Sequence, residues 1–132
     1  MTGAPHSRSE RRRRFRLGLQ AETVAAALLR AKGYRILARR FKTPVGELDI
    51  VAVRRRRLAF VEVKRRITIE VAADAVTPKA QRRLIRAAQF WLSRWPKYQT
   101  HDQCFDMVLL APGRWPRHLQ DVFGVPGDMW GG

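Results

Sequence analysis

Two apolar segments, residues 47–53 and 58–64, are separated only by the basic stretch Arg54–Arg57. Both are rich in β-branched and other apolar residues, which is typical of β-strands. Because the connection is so short, the two segments predict an antiparallel hairpin. The second segment has apolar residues on both faces, so we expect it to lie in the centre of a sheet that is covered on both sides.

The hairpin places acidic side chains next to each other. With a turn of two or four residues, Asp49 faces Glu62 and Glu47 faces Lys64, whereas a three-residue turn would put Asp49 on the other face. Two carboxylates directly opposite each other on neighbouring strands repel. Partial burial increases this repulsion unless one group is protonated or a cation lies between them. The sequence therefore predicts a divalent-metal site at this end of the hairpin.

These residue types have the chemistry needed to cleave a phosphodiester bond. Mg²⁺ prefers hard oxygen ligands and is typically held by one or two carboxylates together with a substrate phosphate. We expect Asp49 and Glu62 to hold the metal, which polarises the phosphate and lowers the pKa of a bound water. Lys64 would orient that water or stabilise charge in the transition state. Without catalysis, the same residues would form a charged cluster at an exposed strand end, but the apolar residues on both strands favour a functional site.

Glu22 is a further acidic candidate. It is the only acid in the helix predicted over Leu17–Lys32, and its helical neighbours are small or apolar. A carboxylate that is buried without a partner is costly. Glu22 therefore either reaches the carboxylates of the hairpin or borders the core, and the pattern alone leaves both interpretations open.

The rest of the chain alternates between helical and strand-like patterns. After the first helix, which Gly33 ends, the predicted elements outside the hairpin are a strand over Tyr34–Phe41, a helix from Thr77 to about Trp95, a buried strand over Cys104–Leu110 and an edge strand over His118–Phe123. Residues 65–76 are ambiguous, and a short strand over residues 67–69 is one interpretation. This order predicts an α/β fold in which a mixed central β-sheet is flanked by helices.

We expect a single domain, because 132 residues suffice for one hydrophobic core. The domain is predicted to span residues 17–123. Residues 1–16 are rich in arginine and almost without apolar residues, so they predict a disordered basic arm that either contacts phosphates non-specifically or has no role. Residues 124–132 are predicted to be a loose C-terminal tail.

The charge of the chain points to a polyanionic partner. Lysine and arginine number 27 against 11 acidic residues, which gives a net charge of +16. Because such an imbalance destabilises a compact chain through self-repulsion, nucleic acid is the first expectation and an anionic membrane surface the second. Four basic residues at the start of the second helix are expected to contact phosphates without reading sequence: Lys79, Arg82, Arg83 and Arg86.

Other features narrow the compartment and the kind of site. Cys104 is the single cysteine, which excludes an internal disulfide and a multi-cysteine zinc site. No apolar run approaches the length of about 20 residues that spans a bilayer, and no signal-peptide core follows the arginines, so we expect a cytoplasmic protein without a membrane partner. Asp106 is expected to be a structural hydrogen-bond acceptor, and Gln81 is a minor candidate for substrate contact.

Six short motifs follow one another along the chain in a specific order. They are Ala21-Glu22, Gly33-Tyr34, Gly46–Ala52, Phe60–Lys64, Ala75–Pro78 and Phe105-Asp106. The series spans about residues 18–123 and resembles the YraN family of small bacterial proteins, whose fold is similar to that of restriction endonucleases and archaeal Holliday-junction resolvases. It departs from the wider superfamily in one position, since Leu48 rather than proline precedes the aspartate.

The resemblance implies a Glu…Asp…Glu-x-Lys nuclease signature, carried here by Glu22, Asp49, Glu62 and Lys64. It also implies Mg²⁺ or Mn²⁺ as cofactor. Because related resolvase-like enzymes act as dimers that make two cuts, it further implies a homodimer.

A metal-dependent endonuclease that acts on DNA, including branched or damaged structures, is therefore the leading hypothesis. The alternative is a non-catalytic nucleic-acid-binding module on the same fold, whose binding would depend on salt but not on metal. The acid–acid–lysine cluster argues against this alternative, because a site without function would be free to lose so costly an arrangement. A membrane-surface protein would need a broad apolar helix face, and the core uses the apolar stripe of the second helix.

Overall fold

The computed structural model describes residues 8–66 and 77–125. Within these ranges the regular elements are α1 (Arg8–Ala31), β1 (Arg35–Thr43), β2 (Gly46–Arg54), β3 (Arg57–Arg65), α2 (Pro78–Arg94), a short 3₁₀ helix (Pro96–Tyr98), β4 (Asp102–Leu110) and β5 (Arg117–Phe123). The strand considered over residues 67–69 lies outside the described residues, as do residues 1–7 and 126–132. In the described part of the chain, neither α-helix is long and apolar enough to cross a membrane.

The five strands form one mixed sheet in the order β1-β2-β3-β4-β5. Strands β3 and β4 are parallel, and the other neighbouring pairs are antiparallel. Helix α1 packs on one face of the sheet and α2 on the other, each over its own cluster of buried apolar residues. The predicted α/β fold is confirmed, and the architecture is consistent with that of restriction endonucleases.

The β2–β3 turn sets the register on which the predicted site depends. Arg54 pairs with Arg57, so the turn holds two residues, and Arg55 takes a positive φ of 55° within it. Tight hairpin turns commonly require a positive φ in the loop. From this turn the pairing continues without a bulge to Ile50 and Val61, as the two-residue alternative predicted.

Helix α2 begins at a local capping signal. The hydroxyl of Thr77 accepts a hydrogen bond from the N–H of Ala80 at 3.2 Å, and proline occupies the first helical position. The apolar spacing predicts a core-facing stripe of Leu84, Ala88, Trp91 and Trp95. In the structure Ile85 and Leu92 are buried as well, while Trp95, at the helix end, is 41% exposed. The helix therefore faces the sheet with a side rotated from the one that the spacing suggested.

Helix α1 is longer than predicted. Its backbone is helical from Arg8, although the sequence pattern placed its start at Leu17. The prediction of a disordered arm over residues 1–16 is therefore wrong for residues 8–16, and residues 1–7 lie outside the described part. Arginine is a good helix former even where no apolar stripe requires a helix, so the arginine run extends an established helix. The buried face of α1 lies further along, at Ala25, Ala26 and Leu29.

Candidate active site

Strands β2 and β3 separate at the carboxylate of Asp49. Their paired register ends at Ile50 and Val61, and just beyond it Asp49 Oδ2 accepts the backbone N–H of Val63 at 2.8 Å. Leu48 and Val51 are three residues apart, yet both pack in the core under α2, so the alternation of β2 is broken between them. Asp49 is therefore turned towards β3, where its carboxylate takes the place of a backbone acceptor.

The structure brings Asp49 and Glu62 together, as predicted. Burial and a hydrogen bond with the carboxyl group of Glu62 raise the pKa of Asp49 to about 8, against the lowering effects of the Val63 N–H and the Lys64 charge. An ionised Asp49 would stand against a second acid in a partly buried place, so the protonated form of Asp49 is favoured in the absence of a cation.

Asp49→Asn will stabilise the metal-free protein at neutral pH. The folded-state pKa of Asp49 lies above the ordinary value of 3.8, so the stability of the wild type falls as the pH rises from about 4 to about 8. Asparagine removes this penalty, and its carbonyl oxygen can still accept the Val63 N–H. In urea unfolding at pH 8 with EDTA, we expect a gain on the order of 1–3 kcal/mol in the free energy of unfolding. Equal or lower stability would contradict the repulsion between the two acids.

Lys64 completes the cluster on β3. Its Nζ lies 3.5 Å from Oε2 of Glu62, and both side chains are largely but not fully buried. The ammonium group is thus close to the acid pair and still reachable by a substrate. Glu47, which was predicted to face Lys64, forms its ion pair with Arg40 instead, at 3.9 Å.

Glu22 of α1 borders this cluster. Its side chain is 6% exposed, Arg39 Nε lies 3.1 Å from its Oε1, and Arg40 Nη1 lies 3.8 Å from its Oε2. Burial raises the pKa of Glu22, the two arginines oppose that rise, and the charge of Asp49 adds to it. Glu22 is therefore close enough to the acid pair to interact with it electrostatically, while its direct partners are arginines.

Sequence reasoning missed these two arginines. They are adjacent in β1, an edge strand, and Arg40 has a positive φ of 51°. Its guanidinium group contacts both Glu22 and Glu47. The one available signal was the Arg39-Arg40 pair, which follows the apolar residues 36–38 of the predicted strand.

The basic residues predicted to contact phosphates are all exposed on the first half of α2: Lys79, Arg82, Arg83 and Arg86. Arg83 reaches the β1–β2 turn, since a Cβ added at Gly46 would come within 3.0 Å of its side chain. Gly46 also has a φ of +150°, which favours glycine. This close approach joins the basic side of α2 to the end of the sheet where β2 begins, one residue before Glu47. A phosphate-binding role for these side chains stays a prediction.

Asp49 and Glu62 supply part of the ligand set that a divalent cation needs. Among residues 8–66 and 77–125, no group of three or more histidine, cysteine, aspartate or glutamate side chains could hold a metal ion. Asp49 and Glu62 are a pair of adjacent oxygen donors whose mutual repulsion raises a pKa, and a cation would relieve that repulsion. Mg²⁺ commonly takes one or two carboxylates and fills its remaining positions with water and substrate phosphate. The pair therefore fits such an ion as a partial ligand set.

Asp106 belongs to a separate, buried polar cluster. It accepts hydrogen bonds from both Nη atoms of Arg57, at 2.5 and 2.8 Å, from His118 Nε2 at 2.7 Å and from the Asp121 N–H at 3.0 Å. Burial raises the pKa of Asp106, but the bonds from Arg57 and His118 outweigh it and lower the pKa to about 2. The predicted role as a structural acceptor is confirmed by this geometry.

His118 is held between an acid and a base in the same cluster. Lys32 Nζ lies 2.5 Å from its Nδ1. Because an ammonium group can only donate, Nδ1 accepts, and Nε2 carries the proton that is donated to Asp106. With a side chain only 2% exposed, His118 bridges Lys32 and Asp106. No spacing in the sequence indicates a partner for this histidine.

Comparison with known proteins assigns a family but names no activity. The profile of "Uncharacterised protein family UPF0102" matches residues 21–110, a range that contains the acidic cluster and Lys64. A "UPF0102 protein" of Nitrobacter winogradskyi is 60% identical over 109 residues, which cover 83% of this chain and 92% of the relative. A relative from Rhodopseudomonas palustris strain HaA2 is 59% identical over 109 residues, covering 83% of this chain and 85% of the relative. The family resemblance seen in the sequence is thereby confirmed.

Proposed function

Because the chain belongs to the uncharacterised protein family UPF0102, its activity must be inferred from its site, and we propose that it is a metal-dependent endonuclease. It would hydrolyse phosphodiester bonds in nucleic acid, with DNA as the expected form. The observation that carries the proposal is the partly buried pair Asp49–Glu62 with Lys64 beside it. An arrangement that raises the pKa of a carboxyl group in this way is costly to the fold and useful to chemistry.

The charge distribution supports a nucleic-acid substrate. A net charge of +16 attracts a polyanion from a distance. The exposed basic side chains of α2 adjoin the β1–β2 turn through Arg83 and Gly46. Phosphates bound there would hold a nucleic-acid strand next to the end of the sheet that carries Asp49 and Glu62. Such contacts position a duplex without reading its sequence.

Each residue of the cluster has a distinct task in this proposal. Asp49 and Glu62 would hold Mg²⁺ or Mn²⁺, which when bound polarises the scissile phosphate and lowers the pKa of a water molecule. The N–H of Val63 fixes the orientation of the Asp49 carboxylate. Lys64 offers a donor to the attacking water or to the charge that develops on the phosphate oxygens. Glu22 keeps Arg39 and Arg40 beside the acids and completes the site.

The proposal extends to partners and location. Cleavage of two strands needs two sites, which is the reason for proposing a homodimer alongside the nuclease activity. For a protein that acts on DNA we also propose a cytoplasmic location.

The test is a cleavage assay with the purified protein. End-labelled duplex, single-stranded and four-way branched DNA, and matching RNA, would each be incubated with Mg²⁺, with Mn²⁺ and with EDTA. We expect products only when a metal is present, together with metal binding measured by calorimetry. Salt-sensitive binding without products, under all metal conditions, would instead establish the non-catalytic binding module.

A further inference from the structure

Trp115 is the most exposed large apolar side chain among the described residues. It is 90% exposed, whereas Val24, Val45 and Trp95 are each exposed by 41–42%. A tryptophan normally contributes to stability by burying its ring, so this one does nothing for the fold of the single chain. Pro112 and Pro116 restrict the backbone on either side of it.

The position of Trp115 relates it to the acidic cluster. It lies in the β4–β5 loop, residues 111–116, which directly follows β4. Because β3 and β4 are parallel, Lys64 pairs with Leu109 and Arg65 with Leu110, and the Leu110 carbonyl accepts the N–H of Arg66 at 3.0 Å. The β4–β5 loop therefore leaves the sheet at the same end as Glu62 and Lys64, one strand away.

The same loop forms the wall of an open cavity of about 220 Å³. Ala111 and Pro112 line it from the loop, Arg65 from the end of β3, and Ala21 and Val24 from α1. Ala21 directly precedes Glu22 in the chain. The cavity thus lies between the β4–β5 loop and the part of α1 that borders the acidic cluster, and its walls are mainly apolar with a guanidinium group at the edge.

The chemistry of the loop matches an unpaired nucleotide. An aromatic face stacks on any nucleobase, and such stacking is a general means of binding single strands. Arg114 and Arg117, both exposed, lie on either side of Trp115 in the sequence and can each bind a phosphate through a guanidinium fork. A second copy of this chain is a poorer occupant, because two such loops would bring arginines of like charge together.

We propose that the β4–β5 loop binds an unpaired nucleobase next to the cleavage site, with Trp115 stacked on the base and Arg114 and Arg117 on the neighbouring phosphates. This inference rests on the proposed nuclease function and specifies its substrate class. The preferred substrates are nucleic acids that present unpaired bases, such as flaps, gaps and single strands, rather than intact duplex.

The test measures binding without cleavage. Fluorescence anisotropy in EDTA would compare a labelled single strand with a blunt duplex for the wild type, Trp115→Ala, Trp115→Phe and Arg82→Ala. We expect Trp115→Ala to weaken single-strand binding by about tenfold or more, with a smaller loss for Trp115→Phe and an unchanged duplex affinity. Arg82→Ala, a matched control on the basic side of α2, should weaken both ligands alike.

Each of the following outcomes overturns the proposal. Equal losses on both ligands, or no loss on either, would show that Trp115 does not stack on unpaired bases. If Trp115→Ala changes the mass measured by sedimentation but not nucleic-acid binding, the loop is a surface for self-association. If the wild type cleaves nucleic acid with Mg²⁺ while Trp115→Ala binds the single strand and the duplex as the wild type does, this inference alone is wrong. If the wild type neither binds nor cleaves any nucleic acid, the proposed function is wrong as well.

Discussion

Glu62→Gln will lower metal-dependent cleavage of nucleic acid by about 100-fold or more while leaving its binding intact. Glutamine keeps the size of the side chain but removes the charge that, beside Asp49, attracts a cation. Phosphate contacts are expected to come from the basic side of α2 and do not involve this side chain. Calorimetric metal titration should therefore show weakened metal binding, in parallel with the loss of cleavage and without a change in the affinity for DNA.

The control for Glu62→Gln is Asp102→Asn. Asp102 is an exposed acid that pairs with Arg57 in the sheet register, at the end opposite to Lys64. Asp102→Asn changes the net charge by the same amount as Glu62→Gln, so an effect on the long-range attraction of DNA would appear in both variants. If Asp102→Asn lost cleavage equally, or if Glu62→Gln cleaved like the wild type, Glu62 could not be a metal ligand.

The variant Lys64→Gln tests whether Lys64 takes part in cleavage rather than in metal binding. If Lys64 acts on the water or on the phosphate, this variant should lose cleavage and keep its metal affinity, or even gain some, because a cation next to the site is removed. A parallel loss of both properties would assign Lys64 to the structure of the site instead.

The adjacency of the two acids could be predicted because it depends on local rules. A two-residue turn fixes the register of a hairpin, so counting positions brings Asp49 close to Glu62, although the strand pairing itself ends one position earlier, at Ile50 and Val61. The start of α2 was predictable for the same reason, since Thr77 and the following proline act only on the next few residues. Features that depend on a few neighbouring residues can therefore be predicted from the sequence.

The remaining features depend on contacts between distant elements. Arg57 from the start of β3 and His118 from β5 both bond to Asp106. Their spacing in the sequence does not indicate these contacts. The turn of Asp49 towards the Val63 N–H breaks the strand alternation, which a strict two-residue period does not foresee. The start of α1 at Arg8 was missed for another reason, since the absence of an apolar stripe was interpreted as disorder.

The cluster around Asp106 leads to the largest expected loss of stability. Arg57→Ala should lower the free energy of unfolding by about 3–5 kcal/mol, because it leaves a fully buried carboxylate without its bidentate partner. Urea unfolding at neutral pH measures this change. Arg65→Ala, which removes an exposed arginine from the other end of β3, should change stability by no more than about 0.5 kcal/mol.

A double substitution tests the cause of that loss. In Arg57→Met/Asp106→Leu both charges are replaced by apolar side chains, so no buried charge remains unpaired, and part of the stability should return. A double variant less stable than Arg57→Ala would show that packing and the bonds to Asp106 from His118 and the Asp121 N–H outweigh the unpaired charge. An Arg57→Ala variant as stable as Arg65→Ala would mean that the ion pair contributes nothing.

The same cluster should govern the acid stability of the protein. Burial alone would raise the pKa of Asp106, but Arg57 and His118 bring it down to about 2, below the ordinary value of 3.8. A group whose folded-state pKa is lowered adds stability above its unfolded pKa, and this contribution disappears as the pH falls from about 4 to about 2. This contribution to the free energy of unfolding is about 2 kcal/mol. In Asp106→Asn this part of the acid dependence should vanish, because the folded and unfolded states then bind the same number of protons at position 106. A wild-type loss of stability between pH 4 and 2 that persisted unchanged in Asp106→Asn would assign acid sensitivity to other carboxylates.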